Sequence, residues 1–151
     1  MWREIVEKIA KNNEYVKIQP PATQEDTERL NSKYGEIPQE LKDLLLELNG
    51  DNDCLFSVEW IIEMNELLRN DQYNDGGFMS FKSLLFFAGN GCGDYYGYAI
   101  SKNGIEPRRI FMWCHETDDR IEVAGSLKEA IALMYESMSD EILGRKGCGL
   151  D

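Results

Sequence analysis

The stretch LLFFAGNGCGDYYGYAI, residues 84–100, decides the fold class. LLFFA (84–88) is a continuous apolar run of strand length and reads as a central strand. GNGCGD (89–94) is a glycine-dense turn, and YYGYAIS (95–101) is an aromatic-rich strand. Alternation puts Tyr96 and Tyr98 on one face and Tyr95 on the other, so that one set lies in the core. Asn103-Gly104 signals the next turn, although Pro107 works against a clean two-residue hairpin. RIFMWC (109–114) and RIEVAG (120–125) then complete an antiparallel meander.

Upstream of this region the periodicity is helical. Trp2, Ile5, Val6, Ile9 and Ala10 share a face over residues 2–12. Pro20-Pro21 breaks the chain, and Thr23 with Asp26 forms a capping box for a helix that runs to Tyr34 and stops at Gly35. Pro38 suits the first turn of the next helix. Its buried stripe is Leu41, Leu44, Leu45 and Leu48, and Asn49-Gly50 ends it. CLF (54–56) suits a short strand, and Ser57 is the N-cap of a helix to about Arg69 with Trp60, Ile61, Met64 and Leu68 inward. Residues 70–80 read as a surface loop. Downstream of the meander, Ser126 with Glu129 opens a helix that turns Leu127, Ile131, Met134, Tyr135 and Met138 inward, and the tail 144–151 frays. Helices, then sheet, then a closing helix make an α+β domain with a largely antiparallel sheet. The 151 residues form one such domain, with no repeat or linker.

Charge narrows the function. Against 28 Asp and Glu stand 16 Lys and Arg, a formal net charge of −12. That field repels phosphate backbones and anionic membrane surfaces and attracts basic proteins. The N-terminus lacks the apolar region of a signal peptide and no apolar run is long enough to span a bilayer, so a cytoplasmic location is expected. Cys54, Cys92, Cys114 and Cys148 form no Cys-x-x-Cys pair, and buried reduced thiols are expected for most of them.

Known chemical motifs fail in turn. Gly89, Gly91 and Gly93 resemble a phosphate loop, but Asp94 stands where a dinucleotide fingerprint needs its third glycine, and no Gly-Lys-Ser/Thr end exists. The cluster reads instead as a tight turn requiring positive φ. Asp51-Asn52-Asp53 hints at calcium, but Phe56 occupies the position of the obligatory EF-hand glycine, which leaves a solvated loop. His115 is the single histidine. Its neighbour Cys114 points to the opposite face of a strand, so a Cys–His dyad would need Cys92. A structural or interface histidine at a strand end is the better reading. Tyr95, Tyr96 and Tyr98 lack the basic surroundings of a nucleic-acid platform. No metal and no cofactor is expected.

Four ordered motifs resemble the SMI1/KNR4-type proteins of the SUKH superfamily. IPQELKDLLLELNG (37–50) is similar to that family's leucine helix ending in Asn49-Gly50, and GNGCGDYYGYAI (89–100) to its Gly89-Asn-Gly91 turn and aromatic strand. Ile110 through WCHETDD (113–119) is similar to its Ile-x-x-Trp-x-His-Glu element, which places Trp113, His115 and Glu116. SLKEAIALMY (126–135) is similar to its closing helix, so the match covers about 24–138. Cys114 departs from the acidic residue common between the Trp and the His, which weakens any charged contact there. The resemblance implies an α+β domain with a sheet wrapped by helices, and a non-enzymatic role. Bacterial members are commonly immunity proteins that neutralise toxins, many of them nucleases, and fungal members are regulatory interaction proteins.

A basic toxin domain is therefore the expected partner. Asp94, Tyr95, Glu116, Asp118 and Asp119 are the expected contact cluster, provided that strands 84–88 and 109–114 run parallel and bring their following loops to one end of the sheet. The alternatives are an intracellular regulator or scaffold, a hydrolase built on His115, and a small-ligand module.

Overall fold

The computed structural model describes residues 1–11, 13–70 and 78–142, with side chains through Tyr135. The expected loop is thus described only at its two ends, and the frayed tail, the inward Met138 and Cys148 lie outside the described residues.

The chain begins with helix α1 (Trp2–Ile9), which ends short of the expected residue 12 and buries Trp2 and Val6. Helix α2 (Gln24–Tyr34) starts on the expected capping box. The Thr23 side chain accepts from the Asp26 N–H, and the Asp26 carboxylate accepts from the Thr23 N–H. Gly35, at φ +92, terminates it. Helix α3 (Gln39–Glu47) follows Pro38 and buries Leu41, Leu44 and Leu45, with Leu48 buried just beyond its end. Helix α4 (Val58–Arg69) is capped by the Ser57 hydroxyl, which accepts from the Trp60 N–H. Its buried stripe is Ile61, Met64, Asn65 and Leu68, at helical spacing. Trp60 stands at the margin of that stripe and is 46 % exposed, so its expected inward position is corrected.

Strands β1 (Leu84–Gly89), β2 (Tyr95–Ser101), β3 (Gly104–Trp113) and β4 (Arg120–Ala124) form one antiparallel sheet in the order β1-β2-β3-β4. Ser101 pairs with Gly104, so the β2–β3 turn is tight after all. Pro107 falls where the register slips between Tyr98–Ile110 and Ile100–Ile105, so its missing N–H breaks no ladder position. Helix α5 (Leu127–Ile142) closes the fold and buries Leu127, Ile131, Met134 and Tyr135. The Ser126 hydroxyl accepts from Glu129 N–H, and the Glu40 carboxylate of α3 accepts from Leu127 N–H, tying the first turn of α5 to the helical half.

β1 is an edge strand of the sheet, not the expected central one, yet every residue in it is buried. Its outer edge is satisfied by side chains. Asn65 of α4 donates to the Phe86 carbonyl at 2.8 Å and accepts from the Phe86 N–H at 2.9 Å, as a neighbouring strand would. Arg69 donates to the Leu84 carbonyl. The expected strand at 54–56 is a single bridge, Leu55 to Ala88, flanked by hydrogen bonds from Phe56 N–H to Phe87 O and from Gly89 N–H to Cys54 O. An apolar run signals burial on both faces; the edge itself is covered by a helix and a loop.

Rings fill both sides of the sheet. Tyr98 packs against Phe87 on one side, and Phe81, Phe86, Tyr95 and Trp113 cluster on the other. Tyr96 and Tyr98 are buried and Tyr95, half-buried, packs in the ring cluster on the opposite face, so both faces are packed and not one alone as expected.

Candidate functional site at one end of the meander

β1 and β3 both pair antiparallel with β2 and so run parallel to each other, and Gly89, Tyr95 and Trp113 stand in register at one end. The turn 90–94 and the loop 114–119 therefore emerge side by side. The loop 51–57 joins them through the Leu55–Ala88 bridge.

Asp94 is fully buried between these loops. Its Oδ1 accepts from the backbone N–H of His115 at 3.0 Å and lies 2.6 Å from ring Nδ1. Against an ionised carboxylate, which only accepts, Nδ1 is the donor of this contact. Asn90 donates from Nδ2 to Asp94 Oδ2 and from its own N–H to the Asp94 carbonyl. Gly93, at φ +101, lies under the imidazole, where a Cβ would come within 3.2 Å of the ring. Gly91 also has positive φ, and Gly89 abuts the Tyr95 ring, so the glycine run builds a turn.

Asp118 holds the second loop. It takes φ +63 and accepts from Trp113 Nε1 at 2.7 Å, from Met79 N–H at 2.9 Å and from Arg120 at 2.9 Å. Burial pushes its carboxyl up, but the Met79 N–H, Arg120 and Trp113 outweigh that and hold it below the ordinary carboxylate range. Arg120 also donates to the Met79 and Ser80 carbonyls and lies over the Phe81 ring, fastening 79–81 across the sheet.

In the third loop Asp51 is fully buried, not solvated as its polar neighbours imply. It accepts from the N–H groups of Asp53 and Leu55 and from the Tyr135 hydroxyl of α5. Burial pushes its carboxyl above the ordinary range against those bonds. Asn49 accepts from the Val58 N–H at the start of α4. Gly50 has φ +83, and a Cβ there would lie 2.8 Å from the Leu55 carbonyl and the Ser57 nitrogen.

The five expected contact residues thus differ in accessibility. Glu116 and Asp119 are exposed and Tyr95 is half-buried, whereas Asp94 is fully buried and Asp118 largely so, both engaged in shaping loops. His115 is half-exposed, with Nε2 3.7 Å from Glu116 Oε1. The Cys–His alternative loses its nucleophile, because Cys92 is disulfide-bonded; Cys54 and Cys114 are buried and not disulfide-bonded. Among the described residues, no three His, Cys, Asp or Glu side chains gather as a metal site, and no helix is long and apolar enough to cross a membrane.

One feature escaped the sequence reading. Asn52, Asp53, Leu55, Phe56, Ser57 and Trp60 line a concavity of about 420 Å³ beside Tyr95, whose ring meets Phe56 edge-on at 5.7 Å. No clear signal for it lies in the sequence, because Trp60 reads as part of the inward stripe and only the structure shows it exposed.

No curated protein sequence matches the chain. The model of the SMI1/KNR4 family (SUKH-1) matches residues 21–133, which include the Asn49-Gly50 stop, the glycine turn, Trp113, His115 and Glu116, and the chain belongs to that family.

Proposed function

We propose that this chain is a non-catalytic, cytoplasmic protein-binding domain, an immunity protein that neutralises a basic bacterial toxin domain. Family membership supports a binding role. The observation that carries the reading is the end of the meander, where three loops pinned by buried hydrogen bonds present Glu116, Asp119, half-buried Tyr95 and exposed Trp60 on a chain of net charge −12. Rigid loops lower the entropic cost of association, rings supply anchoring area, and acidic charge steers a basic partner. Asp94 and Asp118 belong to this surface as the groups that set its shape.

The test uses the product of the gene adjacent to this one, which the immunity reading expects to be a toxin. Charge reversal at Glu116 and Asp119 is expected to slow association about tenfold at low salt and to flatten its salt dependence. Asp118 is unsuitable for reversal because it holds Trp113 and Arg120. An unchanged on-rate, or a neighbouring gene whose product is not bound, rejects the reading.

The buried Asp94 behind a half-exposed His115 is the one observation favouring a hydrolase, since it is the arrangement that orients a general base. A turnover abolished by His115→Ala would establish that alternative.

A further inference from the structure

We propose that the outer edge of β4 takes up an extended strand of the protein partner, one that alternates basic and apolar side chains. The inference rests on the protein-binding reading of the chain and names the form in which its partner arrives.

The two edges of the sheet differ. The β1 edge is closed by the amide of Asn65, by Arg69 and by the Leu55–Ala88 bridge. At the other end of the order stands β4, and among the described residues no hydrogen bond reaches the outer side of its backbone. The Cys114 N–H donates to the Asp119 carbonyl. Alternation along the antiparallel ladder from that bond turns the N–H and carbonyl of Ile121 toward β3 and those of Arg120 and Glu122 away from it. Such an unpaired edge is a template for a further strand, and main-chain bonds to it carry the affinity. Val123 is the extra residue of a bulge, since Phe111 faces Glu122 and Ile110 faces Ala124, so the template ends there and admits only a short segment.

The side chains specify the pattern of that segment. Ile121 is 52 % exposed on one face, and the Glu122 side chain is 46 % exposed on the other. A residue lying beside Ile121 is best apolar, and one beside Glu122 basic. The Glu122 pair with Arg109 is open to water on both sides and weak enough to yield. From Glu116 to Glu129 acidic residues outnumber basic ones by five to two, and Arg120 is taken up by Asp118. The potential along this edge therefore attracts a strand that carries cations. The same charge, on a chain of −12, opposes a second copy at this edge. β4 starts directly after Asp119, so the edge continues the acidic loop at the end of the meander.

The probe is a capped Lys-Val-Lys-Val-Lys peptide titrated into the full chain and read by amide chemical shifts and amide exchange. Saturable shifts at residues 119–123 are expected in the millimolar range. At saturation the Arg120 and Glu122 amides are expected to exchange at least about tenfold more slowly, because their N–H groups become bonded. A Glu-Val-Glu-Val-Glu peptide is expected to bind at least about tenfold more weakly. A fully N-methylated Lys-Val-Lys-Val-Lys peptide keeps its charge but has no backbone donors, and no saturable shifts are expected with it. Glu122→Pro removes an outward N–H and spares the ladder to β3, so it is expected to weaken the lysine–valine peptide about tenfold, whereas Glu122→Gln, which removes only the charge, weakens it less. Should the proline variant fail to fold, the three peptides on the unaltered chain decide the matter. Absence of saturable shifts at 119–123, equal binding of the acidic or the N-methylated peptide, or binding unaffected by Glu122→Pro overturns the assignment. So does protection of Arg120 and Glu122 that grows with concentration in the chain alone, which would make a second copy the occupant. The measurement contains no toxin. An edge that fails while the chain still neutralises a toxin refutes the added strand alone, and an edge that binds while no toxin is neutralised stands without the immunity reading.

Discussion

Asp94 grips His115 twice, through the backbone N–H at 3.0 Å and the ring Nδ1 at 2.6 Å, and so fixes the angle at which the 114–119 loop leaves β3. The carboxylate is fully buried, so its removal strands donors that water cannot reach. Asp94→Ala is expected to cost about 2–3 kcal/mol of stability, whereas His115→Ala, at a half-exposed ring, costs about 1 kcal/mol because Asp94 retains two other donors. Urea denaturation of both variants measures this. Equal losses would mean that the ring, not the backbone tether, carries the coupling.

Asn65 stands in for a strand beside β1. Replacing it with the similarly sized Leu is expected to destabilise the fold by about 2–4 kcal/mol, since the Phe86 N–H and carbonyl lose their partners in a buried setting. The exposed edge is also expected to promote concentration-dependent self-association, visible by light scattering. A monomeric Asn65→Leu protein with an unaltered midpoint would show that α4 covers the edge without that side chain.

Asp51 and Asp118 are expected to shape opposite limbs of the stability–pH curve. The folded protein raises the Asp51 carboxyl above its ordinary value. The contribution of its neutral form is therefore complete below the ordinary carboxylate value, near about 3.9, and is lost as pH rises through the elevated one. Asp51→Asn keeps a neutral side chain in place, so the wild type is expected to lose stability relative to the variant as pH climbs above about 4. Denaturant midpoints at a series of pH values test this, and a constant difference between the two proteins counts against it.

The Asp118 carboxyl is held low, so its contribution is present above the ordinary value and vanishes as pH falls through the depressed one. Asp118→Asn tolerates the positive φ, which asparagine adopts readily, but turns one of the two acceptor oxygens into an NH2 group that faces the donors Met79 N–H, Trp113 Nε1 or Arg120. The variant is expected to be about 1–2 kcal/mol less stable at neutral pH and equal to wild type in acid. Loss of the Trp113 indole contact should also change the tryptophan fluorescence. Asp118→Val, with a β-branched residue at φ +63, is expected to fare worse than the asparagine variant at every pH.

What the sequence made legible was local. The leucine stripe of α3, the Thr23 and Ser57 caps and the meander's turns are all set by residues within a few positions of one another. The parallel relation of β1 and β3 stood as a condition, which the antiparallel pairing of both strands with β2 meets. What stayed hidden was long-range. LLFFA announces burial but does not say whether its neighbour is a strand or the amide of Asn65. Asp51 reads as solvated because its neighbours are polar, and only the hydroxyl of Tyr135 from the far end of the chain explains why it is not. Asp94 and Asp118 read as contacts because carboxylates on loops usually face water, whereas here each closes a ring of donors. Trp60 lies on a helix whose apolar positions are nearly continuous, and periodicity alone did not show which side of the stripe it falls on.

The hydroxyl of Tyr135 reaches Asp51 across 84 positions of chain. During synthesis the 51–57 loop leaves the ribosome long before α5 exists, and until that helix docks, its acid has no phenol to bury against. The 51–57 loop therefore completes its buried hydrogen bonding only once α5 has docked.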